Sequence, residues 1–254
     1  MSKNVLVFDT ETIGVDKKFC YNVGYVVVNI DDNDNFHIID KKEFMTKQVW
    51  YNKMLYSTAY YAQKKPIYTQ RIREKKIRVL PFEEIINEIL ADIEKYNINY
   101  AFAYNSNFDE QVFDFMSDWF KTINPFEEIN VHDIRAYFVN CVDNNKGFYN
   151  FCEDNKRFTE SGNYSTTAET AYQYITGTYD FEEEHTALSD SIIEAEILEY
   201  CTYVGMDIFS PMKAKKSLPR LEPITLTINY KGEKITMDCH KYTVYRKRNI
   251  IKVE

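Results

Sequence analysis

A chain of 254 residues, 44% of them hydrophobic, has enough apolar material for one large core or two small ones. It contains no run of about 18 consecutive apolar residues, and its first residues lead into an apolar strand without the pattern of a signal peptide. Five widely spaced cysteines without a Cys-x-x-Cys pair indicate reduced thiols. The sequence therefore predicts a soluble, cytoplasmic protein and excludes membrane-spanning and disulfide-scaffold classes.

The net charge of -8 is unevenly distributed. From residue 211 onward, eleven Lys and Arg accompany four Asp and Glu, whereas the first 210 residues hold 20 basic and 35 acidic residues. An acidic body with a basic tail is typical of a metal-binding unit joined to a segment that binds a polyanion. A tail that only keeps the protein soluble explains the same pattern. Seven glycines and 21 tyrosines, with many Asn, Lys and Ile, indicate an AT-rich coding sequence such as that of a mobile element or a phage.

The first third of the chain predicts three successive strands. Residues 5–8 are apolar without alternation, which is typical of a central strand buried on both faces. Residues 22–30 and 35–44 follow as strands separated by a turn-rich stretch, so an antiparallel meander is expected. Residues 46–62 are compatible with helix, and the basic stretch 64–78 has seven Lys and Arg with one Glu.

Helices and short strands then alternate. Pro81 followed by acids opens an amphipathic helix, and Asn107 with Glu110 resembles a capping box for a second one. The pattern predicts further strands at 100–104 and 129–132 and further helices at 134–139, 166–175 and 186–203. Residues 144–164 are predicted to form a loop or irregular insertion. Beyond Pro211, a hairpin is predicted around Lys231-Gly232, and residues 242–246 are a candidate third strand.

This order predicts an α/β fold, in which a mixed five-stranded sheet is flanked by helices. The change of pattern and charge near residue 206 divides the chain into a main domain, 1–205, and a small basic β-rich extension, 206–254. The extension is a candidate for nucleic-acid binding.

Four acids and a histidine occur where predicted strands or loops meet helices. Asp9 and Glu11 are two residues apart at a strand end, so an extended chain projects both side chains from one face. Asp109 lies in the first turn of its helix, where the helix dipole favours a negative group. If Thr186 caps the last helix, His185 and Asp190 converge near its start. Converging carboxylates need divalent cations to stay ionised together, and oxygen ligands favour Mg2+ or Mn2+.

These residues occur in Asp9-Thr-Glu11-Thr, in 105–109 and in 185–190, and the three stretches resemble the motifs of the DEDDh (DnaQ-like) 3'-5' exonuclease superfamily. The resemblance covers about residues 4–203 and departs from the usual first motif at Ile13. It implies a ribonuclease H-like fold, two Mg2+ or Mn2+ ions and removal of nucleotides from a 3' end. It further implies that Asp9, Glu11, Asp109 and Asp190 hold the metals and that His185 is the general base.

Substrate contacts are predicted in three places. The resemblance puts Thr10 and Thr12 near the terminal nucleotide, and Phe108 is a candidate for stacking on a base, although core packing explains it equally well. The basic stretch 64–78 and the basic C-terminal strands are candidates for holding the rest of the strand. Asp133 follows a short strand but is not needed to complete the four acids, so a capping role or one behind the metal ligands is expected.

The sequence thus favours an exonuclease that acts on single-stranded 3' ends and releases nucleoside monophosphates, with DNA preferred. An exoribonuclease that trims RNA 3' ends is an open alternative, because no residue reveals recognition of the 2'-hydroxyl. A nucleic-acid-binding module with the same fold and no turnover is another. Candidate partners are a second copy of the chain, since related enzymes include dimers, and a polymerase or other replication protein.

Overall fold

The computed structural model describes residues 2–14, 16, 18–213, 218–220, 223–230 and 233–240. These residues fall into two compact units, a larger one within 1–141 and 166–215 and a smaller one within 142–165 and 216–254. Among them, every helix is too short or too polar to cross a membrane.

The larger unit contains a six-stranded mixed sheet, which confirms the predicted α/β class. In spatial order β4-β3-β2-β1-β5-β6, the strands are β1 (Lys3–Thr12), β2 (Cys20–Ile30), β3 (Phe36–Thr46), β4 (Arg78–Leu80), β5 (Tyr100–Ala103) and β6 (Asn130–Asp133). The first three form the expected antiparallel meander, and β5 runs parallel to β1. The sixth strand, β4, was not predicted, because three residues at the end of a basic stretch carry too little periodicity to indicate a strand.

The helices of the two units follow the predicted order with additions. They are α1 (Lys47–Trp50), α2 (Lys53–Tyr56), a 3-10 turn (Ala62–Lys64), α3 (Lys65–Arg73), α4 (Phe82–Tyr96), α5 (Asn107–Phe120), α6 (Ile134–Val142), α7 (Lys146–Asp154), α8 (Ala168–Thr176) and α9 (Ala187–Tyr203). The predicted cap of α5 was one residue late: Ser106 is the N-cap, and its hydroxyl donates to Glu110 Oε1 at 2.8 Å. The preceding Asn105 takes a left-handed conformation, φ 63°, which begins the turn one residue earlier.

Helices cover both faces of the sheet. On one face, Leu6 and Phe8 of β1 pack with the apolar sides of α4 and α5 in the main core. On the other face, α9 contacts β1 and β2. This two-sided burial explains why residues 5–8 are apolar without alternation.

Gly24 allows α9 to approach the sheet closely. It lies opposite Asp9 on β2, and a Cβ atom built there would lie 2.2 Å from the backbone of Ala187 and Leu188. Two hydrogen bonds fix the contact: Ala187 N–H donates to Asn22 Oδ1 at 2.9 Å, and Ser191 Oγ donates to the Gly24 carbonyl at 3.0 Å. The first turn of α9 is therefore held directly over the end of β1.

We expect Gly24→Ala to lower the free energy of unfolding by about 1–3 kcal/mol, because the added methyl group forces the backbone of α9 away from β2. Gly14→Ala is the matched control, since a Cβ at Gly14 meets no atom within 4 Å. Urea unfolding of both variants measures the effect. Equal stability of the two variants would contradict the close approach of α9.

The smaller unit corrects one prediction and confirms another. Residues 144–164 are not wholly irregular, because they contain α7, whose N-cap Asn145 accepts a hydrogen bond from Gly147 N–H at 2.8 Å. Its buried residues Phe148, Phe151 and Cys152 have helical spacing that the sequence reading missed. The predicted hairpin is present as β7 (Pro223–Tyr230) and β8 (Glu233–His240), paired antiparallel. The candidate strand at 242–246 lies outside the described residues.

Candidate active site

The end of β1 contributes the first two acids. Asp9 and Glu11 both line one cleft, as expected for alternate residues of an extended strand. Tyr21 of the neighbouring strand donates its hydroxyl to Glu11 Oε2 at 3.4 Å. Glu11 is 9% exposed, so its carboxylate has little contact with water beyond the cleft.

The third acid, Asp109, lies in the first turn of α5 and is 2% exposed. Its Oδ1 accepts hydrogen bonds from the Thr10 amide at 3.1 Å and from the Thr10 hydroxyl at 2.6 Å. These bonds join α5 to β1 and direct the carboxylate into the cleft.

Asp133 has the capping role that was one of its two expected roles. Its Oδ1 accepts hydrogen bonds from the backbone amides of Asn105 at 2.8 Å and Arg135 at 2.9 Å. It therefore stabilises both the turn before α5 and the start of α6.

The start of α9 contributes the remaining two residues. Thr186 is the N-cap, as predicted, and forms a capping box with Ser189. His185 precedes it with a left-handed φ of 49°, and Asp190 follows in the first turns of the helix. One ligand atom each from Glu11, His185 and Asp190 lie within 4.8 Å of one another. Two segments that are far apart in the sequence, the end of β1 and the start of α9, thus meet at one point.

The cleft that they share has a volume of about 310 Å3. It contains all five predicted catalytic residues and seven others. The lining consists of Asp9, Thr10, Glu11, Tyr61, Tyr104, Asn105, Phe108, Asp109, Glu183, His185, Asp190 and Glu194.

The acids of the cleft resist ionisation when no cation is bound. Burial raises the pKa of Asp109 to about 7, and burial together with the charge of Asp9 raises that of Asp190 to about 9. The pKa values of Asp9 and Glu11 are also well above their ordinary range, first because of burial and then because of neighbouring carboxylates. In contrast, burial and the nearby Lys64 ammonium lower the pKa of His185, which favours neutral imidazole.

This donor set fits hard divalent cations. Carboxylate oxygens dominate it, and Mg2+ and Mn2+ prefer oxygen ligands, whereas structural zinc sites usually contain several Cys or His ligands. Removal of the carboxylates' mutual repulsion by a bound cation is the simplest way for all of them to be ionised at neutral pH. Glu11, His185 and Asp190 bring ligand atoms together and could hold such an ion, whereas ligation by Asp9 and Asp109 stays a prediction.

The sequence reading missed a fifth acid in the cleft. Glu194 follows Asp190 by one helical turn and is 3% exposed. Its Oε2 accepts a hydrogen bond from the Tyr104 amide at 3.2 Å, which joins α9 to the end of β5. Burial, followed by the charge of Asp9, raises its pKa well above the ordinary value. The four-residue spacing from Asp190 was the available signal, because it puts both side chains on one helix face.

A second missed group lies around His185. The Tyr61 ring stacks on the imidazole with centroids 4.5 Å apart and an angle of 17° between the rings. At the edge of the ring, His185 Nδ1 lies 3.5 Å from Glu183 Oε2. Burial raises the pKa of Glu183 to about 7. No short motif contains Tyr61, which enters the cleft from the segment between β3 and β4.

Part of the predicted basic stretch holds this histidine segment. Three consecutive residues of this segment accept hydrogen bonds from the stretch. Lys64 Nζ donates to the Glu184 carbonyl, and Tyr68 donates its hydroxyl to the His185 carbonyl at 3.3 Å. Arg71 donates to Thr186 Oγ1 at 3.0 Å. Arg71 also forms an ion pair with Glu43 at 2.7 Å. Lys64 and Arg71 of the stretch therefore have intramolecular roles, and binding of nucleic acid by the stretch stays a prediction.

The three predicted substrate contacts lie in different surroundings. Thr10 lines the cleft, but its hydroxyl is donated to Asp109. Thr12 is buried and donates its hydroxyl to the Gly14 carbonyl at 3.3 Å. Phe108 lines the cleft and also packs against the main core, so both of its proposed roles are compatible with its place. Contact of these side chains with a substrate stays a prediction.

The raised pKa values give the metal-free protein a characteristic pH dependence. Asp109 and Asp190 bind protons more tightly when folded than when unfolded, so stability falls as the pH rises from their ordinary pKa of 3.8 through the folded values of about 7 and about 9. We expect thermal melts in EDTA to show a falling Tm from pH 5 to pH 9. Mn2+ should restore the Tm most strongly at pH 8, and Asp190→Asn should flatten the slope. A Tm that rises over this range without metal would contradict the burial of these acids.

Comparison with known proteins shows the fold. The sequence matches no protein-family model and no curated protein sequence. Among solved structures, the chain is similar to E. coli exonuclease I in a zinc-bound complex with single-stranded DNA, with a TM-score of 0.54 and 14% identity over 82% of this chain and 42% of that chain. With the same protein bound to a dT13 oligonucleotide, the TM-score is 0.51 and the identity is 15%, over 78% of this chain and 40% of that chain. With an ExoI/SSB-Ct complex, the TM-score is 0.53 and the identity is 13%, over 82% of this chain and 43% of that chain. This chain therefore spans less than half the length of these neighbours and shares their ribonuclease H-like fold.

Proposed function

We propose that this chain is a two-metal-ion 3'-5' exonuclease that hydrolyses single-stranded nucleic acid, preferably DNA, and releases nucleoside monophosphates. The observation that carries the proposal is the convergence of Asp9, Glu11, Asp109, Asp190 and His185 in one cleft. The motif order in the sequence and the likeness to a structure of exonuclease I with single-stranded DNA support it.

Each group has a defined role in this proposal. The four acids would hold Mg2+ or Mn2+, and these ions, when bound, would supply activation of a water for attack on phosphorus and stabilisation of the leaving 3' oxygen. His185 accepts the proton of the attacking water at the ring nitrogen that does not face Glu183. Burial and the nearby Lys64 lower the pKa of the imidazole, which favours its neutral form at neutral pH. Tyr61 and Glu183 hold the ring from its face and its edge.

Two further parts of the proposal concern the rest of the molecule. The DEDDh domain is proposed to extend over residues 1–205, and the basic extension, 206–254, is proposed to bind phosphates of the strand that leads into the cleft. A second copy of the chain or a polymerase is a candidate partner, and only the resemblance supports either.

The test is degradation of 20-residue DNA and RNA strands, with the 3' or the 5' end blocked, in Mg2+, in Mn2+ and in EDTA. We expect mononucleotides from unblocked 3' ends only when metal is present, and faster release from DNA. Faster release from RNA would instead identify an exoribonuclease. Binding of both strands without degradation in either metal would overturn the catalytic proposal in favour of a binding module.

A further inference from the structure

Aromatic side chains form a row along one face of α5. The row starts at the catalytic cleft and extends away from it. Phe108 lines the cleft, and Phe115 and Trp119 follow it by seven and eleven residues. Because an α-helix turns by about 100° per residue, these three side chains lie within about 40° of one another around the helix. They extend over about 16 Å of its length. The aromatic row thus starts in the cleft and runs along one line, with about 10 Å of helix between Phe108 and Phe115.

The outer end of this row is built as a platform. The rings of Phe115 and Trp119 lie 6.0 Å apart at 28°, nearly parallel. Phe19 contacts both edge-on, at 5.0 Å from Phe115 and 5.1 Å from Trp119. Phe115 is partly buried against the main core, whereas Trp119 is 60% exposed. The Trp119 ring is therefore packed against Phe19 and Phe115 and is still largely open to solvent.

Charge on this helix is separated from the aromatic face. Glu110, Asp114 and Asp118 lie about 80–160° away from Phe108 around the helix. Beside the row, Lys18 donates through its ammonium group to Gln111 Oε1. A polyanion that follows the row meets this lysine, while Glu110 and Asp114 point away from the row and Asp118 lies to one side of it.

We propose that Phe115 and Trp119 form a stacking platform for bases of a single-stranded nucleic acid several nucleotides upstream of the 3' end held in the cleft. This inference rests on the proposed exonuclease function, because the strand enters the row at Phe108. Aromatic rings bind unpaired bases of any sequence, which suits an enzyme that degrades strands without regard to sequence. Lys18 then contacts the sugar-phosphate backbone beside the platform.

Binding is tested on the Asp190→Asn background, so that the oligonucleotide is not degraded during the measurement. The probe is a 12-nucleotide oligothymidylate in Mg2+. Its binding is measured by the fluorescence of Trp119 and by the fluorescence anisotropy of a labelled strand. Trp50, the other tryptophan, is 7% exposed and provides a constant background. We expect the oligonucleotide to quench Trp119, and Trp119→Ala to weaken binding about tenfold, since stacking of a base contributes about 1–3 kcal/mol. Trp119→Phe should keep most of the affinity.

A kinetic readout on the active chain separates the platform from the cleft. In the parent protein, kcat/KM should increase from a dinucleotide to the 12-residue strand, because only the longer strand reaches Trp119. Trp119→Ala should reduce this increase about tenfold. Tyr203→Ala is the matched control, since Tyr203 is an aromatic residue that is 85% exposed at the end of α9. It should leave the length dependence unchanged.

The outcomes distinguish failure of the platform from failure of the catalytic proposal. Cleavage with an unchanged length dependence in Trp119→Ala, together with unchanged affinity, overturns the platform and leaves the exonuclease intact. Absence of cleavage in the parent protein, with quenching of Trp119 by the oligonucleotide, overturns catalysis and supports the platform as a binding surface. If Trp119→Ala instead changes only the sedimentation of the protein, the aromatic patch is a contact between copies and the platform is wrong.

Discussion

Replacement of Asp190 by Asn should lower the exonuclease rate about 1000-fold, because loss of one metal ligand removes several kcal/mol of transition-state stabilisation. The same change should leave the metal-free fold equally or more stable at pH 8. Burial and the charge of Asp9 raise the pKa of Asp190 to about 9, so the native carboxylate is held in an unfavourable environment. An amide of similar shape has no charge to bury. Release of mononucleotides and urea unfolding measure the two effects.

Asp118→Asn is the matched control for this variant. Asp118 lies exposed on α5, outside the cleft, and its replacement by Asn changes the net charge by the same amount. It should retain the full rate. Calorimetry measures the binding of Mn2+ to each variant. Weaker binding to Asp190→Asn is expected and would link the lost rate to the metal site. Full activity of Asp190→Asn at ordinary Mg2+ would refute the assignment of this acid, and a large loss of stability would refute the account of its burial.

The second large effect is expected for His185→Asn, with a decrease in kcat of about 100-fold to 10,000-fold from loss of the general base. Asn is the preferred replacement because His185 has a φ of 49°, a left-handed conformation that Asn adopts more readily than most residues. Its side chain cannot accept the water's proton at neutral pH. The backbone that leads into α9 should therefore be retained while proton transfer is lost.

The pH profile of kcat tests this role. Burial and Lys64 lower the pKa of His185, so the neutral base is already present below pH 7, and the parent rate should stop rising at a pH under the ordinary imidazole value of 6.5. His185→Asn should lose this ionisation from the profile. His37→Asn is the control, because His37 lies exposed on β3. An unchanged rate or an unchanged profile in His185→Asn would rule out histidine as the base.

Much of the proposed site was predicted because its signals are local. The spacing of Asp9 and Glu11 on a strand, the first-turn place of Asp109 and the cap at Thr186 each depend on a few neighbouring residues. The apolar run at 5–8 likewise predicted a strand buried on both faces. Errors of the sequence reading came where local signals were short or mixed, as in the three-residue β4 and the aromatic helix α7.

The sequence by itself determined the order of the main strands and helices and the identity of four acids and the histidine of the proposed site. The tertiary structure alone decided which distant residues join them: Glu194 reaches the end of β5, Tyr61 stacks on His185, and Gly24 admits α9 to the sheet. These contacts join residues far apart in the chain, and their geometry depends on how whole elements pack. Periodicity and capping act within one element, so they predict the helix on which Asp190 lies but not what surrounds its carboxylate.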